Sequence, residues 1–290
     1  MKFENYSGMT HNYSVIVPYG DRYPLLIKAM DSIPDREDIQ IIIVDNAPQP
    51  LTPSQVPVKK NAEVVYATSS PAKGAGHARN VGLTYAKGLF LVFLDSDDYF
   101  TPEAFDAFDR YLHQDYDIVY FDASSIKLAD NSESKRHQTI HQRITDYIAT
   151  GYDDPLRYDF VNPYCKIVRA SLVLDNNIQF GETRVANDSL FSVRIGHKAK
   201  KITASDDVVY VITEGGIGTS LTQSHSAEDQ FIRFTVIVSR YKFLKSIGKE
   251  HLCPRLYTRV VRAFLNYGAK EGLKWLRYAH HQGVKLLLVY

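Results

Sequence analysis

The chain has little cysteine: Cys165 and Cys253 are the only two in 290 residues. Two thiols so far apart exclude a disulfide framework and a zinc knuckle, and they suit a reducing compartment. Long apolar runs are also missing. No stretch approaches the roughly 20 apolar residues that span a bilayer, and the start MKFENYSGMT lacks the apolar segment of a secretory leader. The expectation is a protein made and kept in the cytoplasm. Nor does charge of one sign dominate, because 34 Lys and Arg stand against 33 Asp and Glu, a net of +1. That balance conceals an asymmetry. From Phe231 to Tyr290 there are 12 Lys or Arg but only Glu250 and Glu271, a net of +10, which leaves −9 for the first 230 residues. A basic tail on an acidic body points to an anionic partner at that end, such as a membrane surface or a lipid phosphate. Positive charge confined to the tail, with no recognisable nucleic-acid module, argues against nucleic acid.

Tyrosine and phenylalanine are plentiful, at 20 and 14, and such rings serve both cores and stacking on bases or sugars. The stretch that organises the chain is Leu89 to Phe100, LFLVFLDSDDYF. Six apolar residues, Leu89 to Leu94, suit a strand buried on both faces of a parallel sheet. The run stops on Asp95, Ser96, Asp97 and Asp98. Carboxylates crowded at the end of a core strand repel one another and lose hydration, so they require open water or a cation between them. Two readings stand side by side: a divalent Mg²⁺ or Mn²⁺ shared with a substrate phosphate, or an acidic, solvated turn that caps the next helix.

Along the chain, Tyr13 to Tyr19 reads as a strand stopped by Pro18 and Gly20, and Leu25 to Ile33 as a helix started by Pro24. Ile39 to Val44 is a second buried strand ending on Asp45, and a third lies around Glu63 to Ala67. The stretch SSPAKGAGHARNVGLTYAKG places glycines before a helix with Ala78, Val81, Tyr85 and Ala86 inward and Gly88 closing it. Lys73 to Arg79 then offers positive charge at a helix N-terminus, a seat for a phosphate or the base beside it. A helix capped by Thr101 runs to Leu112, and Asp117 to Phe121 is another strand. Residues 123–150 read as polar loop, with His113, His137 and His141 solvated rather than metal-binding. Two further core-forming pieces are expected at Asn162 to Val168 and Leu172 to Phe180. Asp188 begins a short helix, a place that helix capping alone explains. Strands surround a turn at Asp206-Asp207, a loop follows at Gly215 to Gly218, and the chain is helical from about Ala227. There Lys270, Lys274, Arg277, His281 and Lys285 share one face, as do Arg255, Arg259 and Arg262. Strand alternating with helix predicts an open, mostly parallel α/β sheet, in which ligands bind beyond the carboxyl ends of the strands.

In order, YSVIVPYGDR, IIIVDNAP, GAGHARNVGLTYAKG, LFLVFLDSDDYF, RVANDSLF and VYVITEGGIGTSLT resemble the GT-A glycosyltransferases of family 2, inverting enzymes of bacterial surface polysaccharide synthesis. The resemblance reaches to about residue 222 and does not cover the basic tail. It implies an α/β, Rossmann-like GT-A fold with a C-terminal helical extension, divided into a nucleotide-sugar-binding half (1–115), an acceptor-binding half (116–226) and the extension (227–290). It implies a UDP-sugar donor and a Mn²⁺ or Mg²⁺ cofactor. Pro18 and Tyr19 would line the base pocket, Asp45 would bond the uracil, and Arg79 would lie beside base or phosphate. Asp95 and Asp97 look like the family's DxD motif, with Asp97 the more direct metal ligand and Asp95 nearer the ribose. Asp188 stands in the place of the catalytic base. The sequence departs from the family at PYGDR, where a tyrosine-asparagine pair is usual, at VDNAP, and at Asn187, where Glu often precedes the base. The implied acceptor is a glycan, carried on a polyprenyl pyrophosphate lipid, with residues 231–290 meeting the membrane surface or pairing two chains as a homodimer. A non-catalytic nucleotide-sugar-binding protein and a sugar nucleotidyltransferase are the alternatives.

Overall fold

The structure is a computed structural model that describes residues 9–215, 224–284 and 286. Apolar stretches of five to seven residues alternate with amphipathic ones from the start. They form β1 (His11–Tyr19), α1 (Tyr23–Asp31), β2 (Ile39–Asp45), β3 (Glu63–Thr68), α2 (Gly74–Tyr85) and β4 (Gly88–Phe93). A short β5 (Tyr99–Phe100), α3 (Ala104–Asp109), β6 (Ile118–Lys127), α4 (Gln138–Thr150) and α5 (Asp154–Tyr158) follow. The body closes with β7 (Lys166–Arg169), α6 (Ala170–Leu174), α7 (Ser189–Lys198) and β8 (Ile202–Glu214). Two long helices, α8 (Ala227–Ser246) and α9 (Leu256–His281), come last.

The strands of the described residues join one eight-stranded sheet in the order β3-β2-β1-β4-β7-β6-β8-β5. Only β7 and β5 run against the rest, so β1, β2, β4, β6 and β8 deliver their carboxyl ends to one rim. Val15, Ile16 and Val17 lie beside Ile41, Ile42 and Ile43, all fully buried. Burying such a side chain stabilises by about 1.5–3 kcal/mol, and hydrophobicity on both faces is what a sheet covered by helices requires.

The structure revises several expectations. The helix expected from Thr101 begins only at Ala104, and Thr101 caps nothing. Its backbone N–H and hydroxyl instead bond the carbonyls of Val209 and Val208, because Tyr99 and Phe100 have joined the edge of β8. Gly88 does not close α2 but opens β4, where a Cβ would meet the Ser14 nitrogen at 2.2 Å. Of the expected inner face, Ala78 is buried and Val81 and Ala86 pack on the core, but Tyr85 is exposed, and α2 also turns Gly76, Arg79, Gly82 and Leu83 inward. Residues 123–150 are not loop: β6 continues to Lys127 and α4 occupies the end of the span. With Ile140 and Ile144 as its buried residues, α4 shows a narrow apolar stripe. Of the histidines, His113 and His141 are exposed as expected, His141 also bonding Asp122 at 2.5 Å, whereas His137 is partly buried and bonds Ser125 at 2.7 Å. Asp206-Asp207 is a bulge within a continuous β8, since Phe121 and Asp122 pair with Ser205 and Val208. The Gly215–Gly218 loop lies outside the described residues from 216 onward.

The final helices carry a small core of their own, built from Phe234, Val238, Leu256, Val260, Ala263, Trp275 and Ala279. They are tied to the body through Arg240 on Asp159 and Lys249 on Asp154. Lys270, Lys274, Arg277 and His281 are exposed, as are Arg255, Arg259 and Arg262, while Lys285 lies outside the described residues. A kink at Gly268 (φ 84°) separates the two groups. Among the described residues no helix is long and apolar enough to cross a membrane.

Candidate active site

Tyr19 and Asp45 end β1 and β2 side by side, and residues 95–98 follow β4 on the same rim. Pro18 and Tyr19 are buried. Burial raises the Tyr19 phenol above its usual range, and the Asp45 carboxylate adds to the shift. Asp45 is 1% exposed. Its Oδ1 accepts the Ala47 N–H at 2.9 Å, and its Oδ2 accepts the Leu51 N–H at 2.8 Å and the Tyr66 hydroxyl at 2.7 Å. Asp45 therefore shapes the loop beyond β2, and Oδ1 keeps one acceptor position.

The acidic cluster divides by environment. Asp98 is buried and structural: its Oδ1 accepts the Thr213 N–H at 2.7 Å and its Oδ2 the Tyr210 hydroxyl at 3.0 Å. Burial, reinforced by Asp97 and Asp95, pushes its carboxyl well up. The Thr213 hydroxyl also bonds the Asp97 carbonyl at 2.7 Å, so β8 clamps the turn. Asp97 keeps 44% of its side chain exposed, with one long contact of 3.4 Å from Arg22. Desolvation and the neighbouring Asp95 raise its carboxyl above the ordinary value. Asp95 pairs through Oδ1 with Arg79. Among the described residues Asp95 keeps its Oδ2 free beside its pair with Arg79, and Asp97 is half-exposed with one long contact, so the two carboxylates make a fitting donor set for a hard divalent cation that draws its other ligands from a diphosphate and water. Among the described residues no group of three or more acidic, histidine or cysteine side chains forms a closed metal site.

Arg79 is the link that the sequence did not foretell. It is 5% exposed and touches Asp95 with one arm, while its Nη1 donates to Asn187 Oδ1 at 3.0 Å with the other. The pair Arg79–Asn187 spans 108 residues. Close approach permits it, because a Cβ on Gly76 would fall 2.0 Å from the Gly181 carbonyl and 2.7 Å from the Asn187 Cβ. Ala186 takes the left-handed conformation (φ 57°) just before Asn187 and Asp188, the kind of backbone strain that persists where surroundings over-determine it.

Asp188 occupies the N-cap position of α7, yet its side chain makes no capping bond. Helix capping therefore does not account for it. Desolvation raises its carboxyl above the usual value, opposed by Arg79 and Lys166 and reinforced by Asp95. Lys166 itself is 1% exposed, donates to the Phe160 carbonyl at 3.1 Å, and rests over the rings of Phe160 and Tyr120 at 4.5 and 5.0 Å. Burial lowers its ammonium to about 7. Its one signal in the sequence is a charge inside an expected core segment. Rim carboxylates thus lie on one side of Arg79 and a half-buried, uncapped carboxylate on the other.

A mostly parallel sheet with an acidic rim after its central strand is an α/β architecture of the GT-A type. The family model for glycosyl transferase family 2 matches residues 14–174, and the chain belongs to that family. It is similar to the poly(ribitol-phosphate) beta-N-acetylglucosaminyltransferase TarS of Staphylococcus aureus, with 24% identity over 76% of this chain and 38% of TarS. It is also similar to the UDP-Glc:alpha-D-GlcNAc-diphosphoundecaprenol beta-1,3-glucosyltransferase WfaP of Escherichia coli, at 25% over 74% of this chain and 78% of WfaP. The chain thus spans well under half of TarS. The fold matches the crystal structure of S. aureus TarS 1-349 in complex with UDP-GlcNAc at a TM-score of 0.57 and 18% identity, covering 95% of this chain and 93% of that one. A mannosyltransferase from Pyrobaculum calidifontis in complex with GDP-Man and Mn²⁺ matches at 0.56 and 17%, over 93% and 75%.

Proposed function

We propose that the protein transfers a sugar from a UDP-sugar to a hydroxyl of a glycan or polyol acceptor with inversion, in surface polysaccharide or teichoic acid synthesis. The observation that carries the reading is the Arg79 bridge, which sets the Asp188 segment beside the Asp95–Asp97 rim. Family membership and the UDP-sugar donors named for WfaP and the TarS complex support it. Residues 1–115 serve the donor, residues 116–226 the acceptor, and residues 227–290 are an accessory layer. Pro18, Tyr19 and Asp45 bound the uracil pocket, with the free lone pair of Asp45 as its polar contact. Asp97, with Asp95, would hold Mn²⁺ or Mg²⁺, which when bound neutralises charge on the departing diphosphate.

Asp188 takes the proton of the acceptor hydroxyl as that oxygen attacks the anomeric carbon from the face opposite UDP. The bond from the anomeric carbon to the β-phosphate oxygen breaks, and its electron pair leaves with UDP. A desolvated carboxylate is a stronger base than a hydrated one, and the neighbouring Arg79 and Lys166 oppose the shift. The acceptor is a lipid-linked or phosphate-bearing polymer of the kinds named for WfaP and TarS. On α9, exposed Val261, Leu265, Leu273 and Leu276 lie among exposed Arg262, Lys270 and Arg277, a mixture that suits an anionic membrane interface.

The test is Asp188→Asn. Transfer should fall by about 10²- to 10⁴-fold while UDP affinity by calorimetry stays the same. Unchanged turnover would remove Asp188 from the mechanism.

A further inference from the structure

With the uracil at the ends of β1 and β2 and the diphosphate at the end of β4, the next strand along the rim is β7. It runs against β4 and so presents its first residues to the rim. Leu91 pairs with Val168 and Val92 with Ile167; continued toward the rim, that register brings Asp95 level with Tyr164. Neighbouring strands lie about 4.8 Å apart, within reach of a sugar joined to the diphosphate. Side chains tie the two segments as well. The Tyr164 ring stacks on Tyr210 at 4.7 Å, and the Tyr210 hydroxyl accepts the Asp95 N–H at 3.1 Å and donates to Asp98 at 3.0 Å.

The same segment is fastened to the base on its other side. The Ser192 hydroxyl donates to the Val161 carbonyl at 2.7 Å, and the Ser192 N–H to the Asp188 carbonyl at 3.0 Å. Lys166 holds the Phe160 carbonyl from the core. Residues 160–164 therefore bridge the carboxylate rim and the helix that begins at Asp188. In an inverting transfer the leaving diphosphate and the attacking hydroxyl lie on opposite faces of the sugar, so the ring sits between rim and base, over this bridge.

The bridge carries polar groups that the fold does not use. Asn162 is half-buried, and its Nδ2 donates to the Tyr164 hydroxyl at 2.8 Å. Among the described residues, the Asn162 Oδ1 and the phenolic proton of Tyr164 have no partner. A free acceptor and a free donor on one bonded pair complement a hydroxyl, which both donates and accepts. Cys165, next in the chain, takes the left-handed conformation at φ 57°, a strain of the kind that clusters at ligand clamps.

We propose that Asn162 and Tyr164 form the subsite that selects the donor sugar, with Asn162 Oδ1 accepting a bond from one hydroxyl of the transferred ring and the Tyr164 phenol donating to the same oxygen. This rests on the reading of the chain as a UDP-sugar glycosyltransferase. Donor recognition thereby extends past residues 1–115 into the second half of the sheet. A sugar without that hydroxyl leaves the pair unsatisfied, which is how a site built from hydrogen bonds discriminates.

The experiment measures, by calorimetry on the full chain with Mn²⁺, the affinities of UDP, UDP-glucose, UDP-N-acetylglucosamine and the deoxy analogues of whichever sugar binds best. Asn162→Ala and Tyr164→Phe should each weaken that UDP-sugar by about ten-fold, while UDP itself binds as to the wild type. One deoxy analogue should show the same loss on the wild type and no further loss on the variants. Equal UDP-sugar affinity in wild type and both variants would overturn the proposal. So would a loss shared by UDP, or a raised acceptor KM with UDP-sugar binding unchanged. A wild type that binds no UDP sinks the enzymatic reading and the subsite together. A wild type that turns over UDP-sugars, with variants indistinguishable from it, sinks the subsite alone.

Discussion

Asp97 and Lys166 carry opposite electrostatic problems, and each leads to a measurement. Asp97 is an under-compensated carboxylate whose side chain meets, among the described residues, only the long contact from Arg22. Removing it as Asp97→Ala should weaken Mn²⁺-dependent UDP binding by about ten-fold or more, and equal affinity with and without the carboxylate would count against a metal there. Lys166 is a buried cation whose folded value, about 7, lies below its ordinary one. Between these two values the unfolded chain binds the proton and the folded chain does not. The stability penalty is therefore fully present below about pH 7 and relieved as pH rises toward 10. Denaturant melts of the wild type should gain stability over that window. Lys166→Met, which keeps the apolar stem without the charge, should lose the gain and be relatively more stable at pH 6. Parallel curves for the two proteins would remove Lys166 as the cause.

At the level of elements, the decisive contact is that of α2 with the segment before α7. Glycine at 76 lets the helix start touch the Gly181 carbonyl, and only that proximity allows Arg79 to reach Asn187. Gly76→Ala should force the two apart, at a stability cost of about 1–3 kcal/mol. Transfer should fall by more than that cost explains, because the carboxylates on either side of Arg79 lose their alignment. Steady-state kinetics beside a urea melt would separate the two effects. The aromatic cluster under the rim, where Phe100 packs edge-on against Phe105, Phe108 and Tyr210, anchors the turn that bears Asp97 and Asp98.

Over the whole molecule, the sheet body and the last two helices have separate apolar cores, joined by ion pairs and by a patch of Tyr158, Val193 and Leu244. Trp275 is the only tryptophan, buried and stacked on Phe234 at 4.7 Å, so its fluorescence reports the helical layer alone. In the wild type its unfolding midpoint should coincide with that from circular dichroism, since α8 is tied to α5 and α7. Phe234→Ala, which costs about 3–5 kcal/mol in a core, should lower the fluorescence midpoint while UDP affinity under native conditions stays unchanged. Loss of UDP binding in that variant would show that the helices support the donor rim directly.

The alternation of apolar strands with helices, the acidic stop after Leu94 and the basic excess of the tail were all legible in the sequence, because periodicity and local charge are properties of neighbours along the chain. So was the prominence of Asp188, although its alternative as a helix cap could be dismissed only when its side chain was seen to cap nothing. The division of labour between Asp97 and Asp98 came from tertiary structure: β8 arrives more than 100 residues later and engages one carboxylate while leaving the other open. The same holds for Arg79 between Asp95 and Asn187, and for the continuation of β6 through a stretch that reads as loop. Local sequence sets which segments can fold and which groups are charged, whereas burial and partnership depend on distant segments meeting, and it is those that decide what each charged group can do.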